Sequence, residues 1–255
     1  MIFDRRRYGK DNYVYLLAEG SDAALVDPGD AGVALALADA HGVHPGFVLH
    51  THGHPDHTGG TAEVARRLGA VVHGSAGDAP WYSPDIDVSG QAEVALGGLR
   101  VRVHDVPGHT PGSVLYVWRG RLFSGDTLFW GGAGNCRHGG DPARLAASFL
   151  GVVSRLDGGL EVHPGHDYAE ANLPFALDLE AGNAAAAAAH AQLAAARAAH
   201  ARGEEPAPTT LADERAANPF LRAAQLIPAL RARGIDVASP EDAFLALRRL
   251  RDGWR

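Results

Sequence analysis

The chain is poor in cysteine, lysine and methionine. It contains one cysteine, Cys136, one methionine and a single lysine among its 23 basic residues. One cysteine excludes an internal disulfide framework and favours a reducing cytoplasm, so we expect a cytoplasmic protein. No apolar run approaches the length of a membrane span, and residues 1–7 lead straight into strand-like sequence. We therefore expect neither a membrane anchor nor a signal peptide.

The chain also lacks the charge and the motifs of several function classes. Its net charge of −7 argues against a nucleic-acid partner. No Gly-x-Ser-x-Gly motif is present, so no serine nucleophile of the α/β-hydrolase kind is indicated. With 255 residues and 46% hydrophobic residues, the chain is long enough to bury a large core in one domain or in one domain with an appendage.

A histidine-rich loop stands out at residues 51–60. It contains three histidines and one aspartate within six positions: His52, His54, Asp56 and His57. The short apolar run at 46–50 predicts a buried strand, and Gly53 and Pro55 argue against a helix. We therefore expect these side chains on a loop at the end of a strand. Imidazole and carboxylate ligands together suit zinc, iron or manganese, and their close packing favours a metal site over a histidine-rich surface loop.

Three further ligand-type residues each follow a predicted strand: His109, Asp126 and His166. Singly, each would be interpreted as a hydrogen-bonding turn residue, but the seven together predict a site for two ions. Ions held about 3.5–4 Å apart usually share a bridging carboxylate and hydroxide. Asp126 is the expected bridge, because it alone ends a strand as a solitary carboxylate. The expected sets are His52, His54 and His109 for one ion, and Asp56, His57 and His166 for the other.

Strand signals dominate up to about residue 168, and helical signals follow. The predicted strands are 12–18, 23–27, 46–50, 70–73, 93–96, 99–106, 114–118, 121–123 and 160–163. The predicted helices are 31–40, 61–68, 142–156, 184–202, 219–224 and 240–252. The alanine tract within 184–202 favours an ordered helix, because alanine is the best helix former.

These motifs resemble those of the metallo-β-lactamase superfamily. The resemblance rests on four short stretches: Thr-His-x-His-x-Asp-His at 51–57, Gly-His-Thr-x-Gly-Ser at 108–113, Ser-Gly-Asp at 124–126 and Gly-His-Asp-Tyr at 165–168. Within the superfamily the chain resembles glyoxalase II, hydroxyacylglutathione hydrolase, over nearly its full length. This closer resemblance rests on residues 11–16, 172–176 and 210–221.

The resemblance implies an α/β (α+β) fold, an αββα sandwich with a helical C-terminal extension. It implies a metal-binding catalytic domain at 1–168 and a helical substrate-binding domain at 169–255. The implied activity is hydrolysis of S-D-lactoylglutathione or a related 2-hydroxyacyl thioester by a metal-bridging hydroxide. Two divalent ions, zinc first and iron or manganese as alternatives, would lower the pKa of that water to near 7. Asp56 and Asp126 are the implied catalytic carboxylates, and no role is indicated for Cys136.

In the resembled family a loop lysine, a tyrosine and basic residues near the C-terminus bind glutathione. Tyr168 matches the tyrosine, and Arg248 and Arg251 match the basic pair, spaced to share one helical face. A solvated basic helix end is the alternative interpretation of that pair. Asn135 replaces the family lysine, and Arg137 is the nearby candidate for the missing charge. The thiol is therefore expected to be glutathione or another low-molecular-weight thiol.

Two other functions compete with hydrolysis. Persulfide dioxygenases of the superfamily resemble the chain in the ligand loops and use one iron, for which the set here would be His52, His109 and Asp126. They generally lack the helical extension, which favours hydrolysis. A non-catalytic metal-binding protein is the third alternative, and the complete set of seven ligand-type residues argues against it.

Overall fold

In the computed structural model, which describes residues 1–204 and 207–254, two β-sheets pack face to face. The first sheet has six strands in chain order. They are β1 (Ile2–Tyr8), β2 (Asn12–Glu19), β3 (Asp22–Val26), β4 (Phe47–Leu49), β5 (Val71–Gly74) and β6 (Ile86–Asp87). β1, β2 and β3 are antiparallel neighbours, whereas β3, β4, β5 and β6 pair in parallel.

The second sheet has five strands in the order β13, β10, β9, β8 and β7. They are β7 (Glu93–Leu96), β8 (Leu99–Asp105), β9 (Val114–Trp118), β10 (Arg121–Gly125) and β13 (Glu161–Pro164). β10 and β13 are parallel, so their C-terminal ends meet at the same edge of the sheet. A separate two-stranded hairpin pairs β11 (Leu128–Phe129) with β12 (Gly132–Ala133).

β2 shows how the sequence builds the layers. Alternate side chains of a strand point to opposite faces of its sheet. Tyr13, Tyr15 and Leu17 enter the core between the sheets. Val14 and Leu16 enter a second core, on the outer face of the first sheet. Both faces are therefore buried, and the continuous apolar run in this strand follows from that position.

Helices cover both outer faces of the sandwich and form the C-terminal region. In the described residues the α-helices are α1 (Ala31–Ala40), α2 (Pro55–Thr58), α3 (Thr61–Leu68), α4 (Pro142–Gly151), α5 (Ala169–Leu179), α6 (Ala184–Ala191), α7 (Leu193–Ala201), α8 (Leu211–Ala217), α9 (Ile227–Ala232) and α10 (Pro240–Gly253). α1 and α3 cover the first sheet, and α10 packs on α4 over the second. The predicted αββα sandwich with a helical extension is confirmed. Within the described ranges, no helix is both long and apolar enough to cross a bilayer.

Several predicted element boundaries were wrong. The ligand loop was predicted to contain no helix, but residues 55–58 form the short helix α2. Pro55 lies in its first turn, at a position that needs no backbone N–H. The predicted helix 142–156 ends as α4 at Gly151, and a 3₁₀ turn follows at Val153–Arg155. The single helix predicted at 184–202 is divided at Gln192 into α6 and α7.

The segment 219–224, predicted as a helix, consists of turns. The side chain of buried Asn218 explains the difference, because its Oδ1 accepts the N–H of Phe220 while its amide binds carbonyls of the β11–β12 hairpin. α5, α8 and α9 were not predicted. α5 carries Pro174 in its interior, and α9 lies just after the predicted segment.

The C-terminal helices share the core of the second sheet. Phe149 of α4 contacts Phe244 of α10 with ring centroids 5.0 Å apart, and Phe220 lies 5.2 Å from Phe244. These side chains belong to the same apolar cluster as Tyr116 and Phe123 of the sandwich. Burial of this shared surface therefore stabilises both regions together.

Candidate metal centre

All seven predicted ligand residues lie at one edge of the sandwich. His52 and His54 follow β4, and Asp56 and His57 lie on α2. The other three follow strands of the second sheet: His109 after β8, Asp126 after β10 and His166 after β13. A hydrogen bond joins the two sides of the sandwich at this edge, where Val114 N–H donates to the carbonyl of Thr51 at 2.8 Å. Ligands that are distant in sequence are thereby brought together.

The first group of ligand atoms comes from His52, His54 and His109. Their ligand atoms lie within 4.8 Å of one another, and all three residues are buried. Nδ1 of His54 is 3.0 Å from Nε2 of His109. Three imidazole nitrogens at such distances match the donor set of a zinc site with an open position.

The second group comes from Asp56, His57 and His166, again within 4.8 Å. Nε2 of His57 is 3.2 Å from Nε2 of His166, which is 3.2 Å from Oδ2 of Asp56. Asp56 is half-exposed, whereas the two histidines are buried. This group is therefore open to solvent on its carboxylate side.

Asp126 lies between the two groups. Its Oδ2 is 3.5 Å from His109 Nε2 of the first group and 3.5 Å from His166 Nε2 of the second. Its Oδ1 is 3.3 Å from His57 Nε2. Gly165 permits this approach, since a Cβ there would lie 2.4 Å from Asp126 Oδ1. The position is that of a carboxylate shared by two sites.

Two buried polar atoms at the centre, His52 Nε2 and Asp126 Oδ1, make no hydrogen bond within the described residues, although both are inaccessible to solvent. Asp126 Oδ1 has an imidazole neighbour, His57 Nε2 at 3.3 Å, without hydrogen-bond geometry. A buried polar group without a partner is costly, so such atoms require an explanation such as an ion. The residues present therefore fit the divalent metal that these donor types select.

Asp27, a residue not predicted to belong to the site, orients the first loop. Its carboxylate accepts both the N–H and the hydroxyl of Thr51, at 2.8 and 2.6 Å, and lies 3.1 Å from His57 Nδ1. It is fully buried. A carboxylate on the far nitrogen of a metal-ligating histidine fixes its tautomer and its ring orientation.

Asp78 joins two ligand loops. Its carboxylate accepts the N–H of Gly53 at 2.7 Å, the hydroxyl of Thr110 at 2.7 Å and the N–H of Gly112 at 2.7 Å. Gly53 lies beside His52 and His54, and Thr110 beside His109. No local pattern in the sequence indicates this role, because the partners lie 25 to 34 residues away.

The remaining imidazoles are oriented on their far nitrogens as well. His166 Nδ1 is 2.8 Å from Asp11 Oδ1. His109 Nδ1 is 2.7 Å from the Asn135 carbonyl, and His54 Nε2 is 3.0 Å from the His138 carbonyl. Each ring therefore points its other nitrogen into the cluster.

Charge within the cluster keeps its carboxylates ionised. Burial raises the pKa of Asp126, but the imidazoles of His166 and His57 outweigh it and bring the pKa to about 2. Burial and the neighbouring imidazoles lower the pKa of His52 well below its ordinary value. Burial also lowers the pKa of His109. Burial lowers the pKa of His57 and His166, but Asp126 and the other nearby carboxylates outweigh it and raise the pKa of His57 well above its ordinary value and that of His166 above it. Metal binding requires neutral imidazoles, so an ion would displace the protons of these two rings.

Two adjoining cavities open on the centre. The inner cavity, of about 410 Å³, is lined by ligand residues together with Trp81, His138, Asn135 and Tyr168. The outer cavity, of about 260 Å³, is lined by all five residues predicted to bind substrate: Asn135, Arg137, Tyr168, Arg248 and Arg251. Asn135 and Tyr168 line both cavities, so the two lie side by side. Trp81 was not predicted, and nothing in its local sequence indicated it.

The three arginines of the outer cavity differ in their partners. Arg248 is buried, and its guanidinium donates to the carbonyls of Ala133 and Gly134 and to Asp252. Arg251 is half-buried, and its guanidinium lies 5.7 Å from the centroid of the Trp254 ring. Its hydrogen bonds to other residues of the described ranges are long, 3.3 to 3.4 Å, and go to Asn172 Oδ1. Arg137 is exposed and donates to the Asp252 carbonyl. The donors of Arg248 are therefore the most fully occupied.

Comparison with known families divides the chain near the same point as its change from strands to helices. The family model described as the metallo-beta-lactamase superfamily matches residues 7–168, and that of the hydroxyacylglutathione hydrolase C-terminus matches residues 167–254. A hydroxyacylglutathione hydrolase of Anaeromyxobacter dehalogenans is 68% identical over 256 residues, covering 99% of this chain and 99% of that protein.

Solved structures share the fold at lower identity. ETHE1 from Myxococcus xanthus is 23% identical, with a TM-score of 0.68 and 98% of each chain covered. A protein named TTHA1623, solved in a di-iron-bound form, is 26% identical, with a TM-score of 0.62, covering 85% of this chain and 99% of that one. The first likeness shows the fold alone, and the second protein holds two iron ions.

Proposed function

The chain belongs to the hydroxyacylglutathione hydrolase family of the metallo-beta-lactamase superfamily, and we propose that it cleaves S-D-lactoylglutathione or a related 2-hydroxyacyl thioester at a centre of two divalent ions. Membership makes the protein a metal-binding thioester hydrolase. The proposal adds the number of ions, the residues that hold them and the residues that receive each end of the substrate.

The observation that carries the proposal is the meeting of two three-residue groups on Asp126. His52, His54 and His109 would hold one ion, and Asp56, His57 and His166 the other. Asp126 faces both groups at 3.3 to 3.5 Å. When bound, the ions would supply a hydroxide nucleophile at neutral pH and Lewis-acid stabilisation of the thioester oxygen.

We propose zinc as the metal, because the set of five imidazoles and two carboxylates suits it. Iron and manganese accept the same donors. The di-iron form of TTHA1623 supports two ions on this fold and keeps iron open as the metal.

The protein's own residues would prepare the reaction by holding each ligand imidazole in one tautomer and one ring orientation. Asp27, Asp11 and the Asn135 carbonyl lie against the far nitrogens of His57, His166 and His109. Asp56 and Asp126 are the proposed catalytic carboxylates. Asp126 is enclosed by imidazoles, whereas Asp56 is half-exposed, accepts a hydrogen bond from Asn12 at 3.1 Å and faces the inner cavity.

The outer cavity is the proposed site for the thiol portion. Tyr168 and Asn135 stand where the two cavities adjoin, so the sulfur would pass between them. Arg137 and Arg251 bring positive charge for the carboxylates of a thiol such as glutathione. Arg248 adds a third positive charge, but its donors already bind Ala133, Gly134 and Asp252. Glutathione is the proposed thiol, and another low-molecular-weight acidic thiol fits the same charges.

The acyl portion would lie on the opposite side of the centre, in the inner cavity. Trp81 forms its wall there, with its ring centroid 5.3 Å from that of His54. A rigid aromatic wall beside the ligands leaves room for a small acyl group such as lactoyl. The substrate would therefore bind in one orientation, with its thiol portion in the outer cavity and its acyl portion in the inner cavity.

The proposal is tested by measuring thiol release from S-D-lactoylglutathione and from S-D-lactoyl-coenzyme A. We expect rapid hydrolysis of the glutathione thioester. Asp126→Ala should abolish turnover because it removes the residue common to both groups, whereas Asp157→Ala, a change on a distant surface, should not alter it. Hydrolysis of neither thioester by metal-loaded protein would contradict the proposal, and preference for the coenzyme A ester would change the proposed thiol.

A persulfide dioxygenase needs one iron on His52, His109 and Asp126. That set leaves Asp56, His57 and His166 without a role, although they lie together beside Asp126. A non-catalytic metal-binding protein leaves the two adjoining cavities without a role. Hydrolysis uses all of these features.

A further inference from the structure

The C-terminal helical region binds the backbone of the β11–β12 hairpin residue by residue. The hairpin and the residue after it, Leu128 to Gly134, connect Asp126 to Asn135. Four polar side chains from the helical region contact it: Asn172 of α5, Glu214 of α8, Asn218 just after α8, and Arg248 of α10. All four are buried.

The hydrogen bonds cover six consecutive residues, 129–134, which are five residues of the hairpin and the glycine that follows it. Asn218 Nδ2 donates to the carbonyls of Phe129 and Gly132, at 3.2 and 2.9 Å. Asn172 Nδ2 donates to Trp130 O at 3.1 Å, and Glu214 Oε2 accepts the Gly131 N–H at 2.8 Å. Arg248 Nη1 donates to the carbonyls of Ala133 and Gly134, at 2.8 and 2.9 Å.

The four side chains also support each other. Asn218 Nδ2 is 3.0 Å from Glu214 Oε2, and Thr209 donates to the other oxygen of Glu214 at 2.8 Å. The Arg248 guanidinium lies over the Phe220 ring at 5.2 Å. A satisfied buried network of this kind fixes one arrangement of the groups that it binds.

The hairpin leads to a residue that contacts a proposed metal ligand. Asn135, which follows Gly134, places its carbonyl 2.7 Å from Nδ1 of His109. Gly134 lies so close to the centre that a Cβ there would be 1.9 Å from the Asp126 carbonyl and 3.0 Å from His109 Nδ1. A shift of the hairpin would therefore move the group that orients His109.

We propose that Asn172, Glu214, Asn218 and Arg248 form a clamp that positions the Asn135 carbonyl on His109, so that the C-terminal helices are part of the metal centre as well as of the substrate cavity. The four act as positioning residues through the hairpin, and none of them touches the ligand atoms. This inference rests on the proposed metal centre and is independent of which thioester is cleaved.

A clamp that only holds the helices on the sandwich would affect different properties from one that positions His109. If the four side chains only attach the helices to the sandwich, their loss would lower stability and leave the metal site unchanged. If they position His109, their loss would weaken metal binding more than a control substitution that lowers stability by the same amount. Metal affinity and the ligand field therefore separate the two roles.

The test compares Asn218→Ala with Asn183→Ala in the full-length chain. Asn183 is a matched control, since it is a buried asparagine of the same region whose Nδ2 donates to the Ala216 carbonyl and not to the hairpin. Each variant is titrated with Co²⁺, whose visible absorption reports its ligands. Thermal unfolding of the metal-free proteins measures the loss of stability.

We expect Asn218→Ala to weaken Co²⁺ binding about tenfold, to change the absorption bands and to lower kcat more than it raises KM, as loss of outer-shell support does. Asn183→Ala should lower the unfolding temperature while Co²⁺ binding remains that of the wild type. Equal Co²⁺ affinity and identical spectra in both variants would overturn the proposal. Failure of the wild-type chain itself to bind Co²⁺ would instead overturn the proposed metal centre.

Arg248→Lys tests the same inference if Asn218→Ala does not fold. Lysine keeps the positive charge in the outer cavity but cannot reproduce the planar fork that reaches two carbonyls and Asp252. We expect weaker Co²⁺ binding and lower kcat with little change in KM, and no effect from Arg249→Lys at the exposed neighbouring position. A rise in KM alone, with wild-type Co²⁺ binding, would show that Arg248 only binds substrate and would refute its part in the clamp.

Discussion

At the scale of single residues, the geometry of the site depends on the hydrogen-bond partner of each proposed histidine ligand's far ring nitrogen. His57, His109 and His166 each direct one ring nitrogen at Asp126 and bind a carboxylate or carbonyl with the other. The residues of the cavities divide in a similar way. Arg248 is held by internal partners, whereas Arg251 and Trp81 face the space that substrate would occupy. Substitution of Arg248 should therefore affect the structure of the site, whereas substitution of Arg251 or Trp81 should affect substrate binding or selection.

Arg251→Ala should raise KM and leave kcat nearly unchanged. Arg251 would bind a carboxylate of the thiol portion equally in the ground state and in the transition state. Loss of one hydrogen bond to a charged group, worth about 1.5–3 kcal/mol, corresponds to a rise of roughly 10- to 100-fold. Steady-state kinetics with S-D-lactoylglutathione measure it, with Arg249→Ala as the control, and a fall in kcat with constant KM would be inconsistent with a binding role.

Trp81→Ala should broaden the range of acyl groups. Removing the indole enlarges the inner cavity beside His54, so the ratio of kcat/KM for S-D-mandeloylglutathione to that for S-D-lactoylglutathione should rise about tenfold or more. Trp81→Phe, which retains an aromatic wall, should change the ratio much less. An equal fall for both substrates would mean that Trp81 supports His54 and does not select the acyl group.

The proposed ligands of the site could be predicted from the sequence, but the residues that orient them could not. Spacing within residues 51–57 is a local signal, and the loops of His109, Asp126 and His166 repeat one pattern of a strand followed by a glycine-rich turn. Asp78 follows no such pattern, because its role depends on Gly53 and Gly112, which only the folded chain brings together. Trp81 was missed for the same reason.

At the scale of elements, local signals placed the helices and strands of the sandwich more accurately than those of the C-terminal region. α1 and α3 have the predicted bounds, and Gly69 ends α3 with a positive φ of 65°. The turns at 219–224 deviate from prediction because Asn218 binds the hairpin and Phe220 at once. Buried polar contacts between elements thus override helix propensity in this region.

Glu214 of α8 should make stability depend on pH. Burial raises its carboxyl pKa to about 7, although hydrogen bonds from Gly131, Thr209 and Asn218 act in the other direction. The unfolded chain gives up this proton near pH 4.5. The folded state therefore binds more protons than the unfolded state between these values, and its stability falls as pH rises through that window.

Glu214→Gln should remove this dependence, since glutamine accepts from Gly131 and Asn218 and donates to Thr209 without charge. We compare the free energies of unfolding of the variant and the wild type. The variant's value minus the wild type's should increase by about 2–3 kcal/mol between pH 5 and pH 8. Urea unfolding of metal-free protein measures it, with exposed Glu93→Gln as the control. Parallel pH profiles for wild type and Glu214→Gln would exclude this role.

At the scale of the whole molecule, one sandwich edge supplies the ligands and one helical region closes the cavity beside them. The division proposed at residue 168 separates these contributions along the chain, but the apolar core and the clamp both cross it. The resemblance in sequence predicted both regions. It did not predict the clamp, because hydrogen bonds to backbone atoms have little sequence signature.

We propose that two ions on the seven-residue cluster support thioester hydrolysis. To test this, metal content and hydrolysis of S-D-lactoylglutathione are measured on the same sample while metal-free protein is reconstituted with zinc. We expect turnover to reach its maximum at about two metal ions per chain, the occupancy that a two-metal site requires. Full occupancy without turnover, or one iron per chain with oxygen consumed on glutathione persulfide, would contradict it.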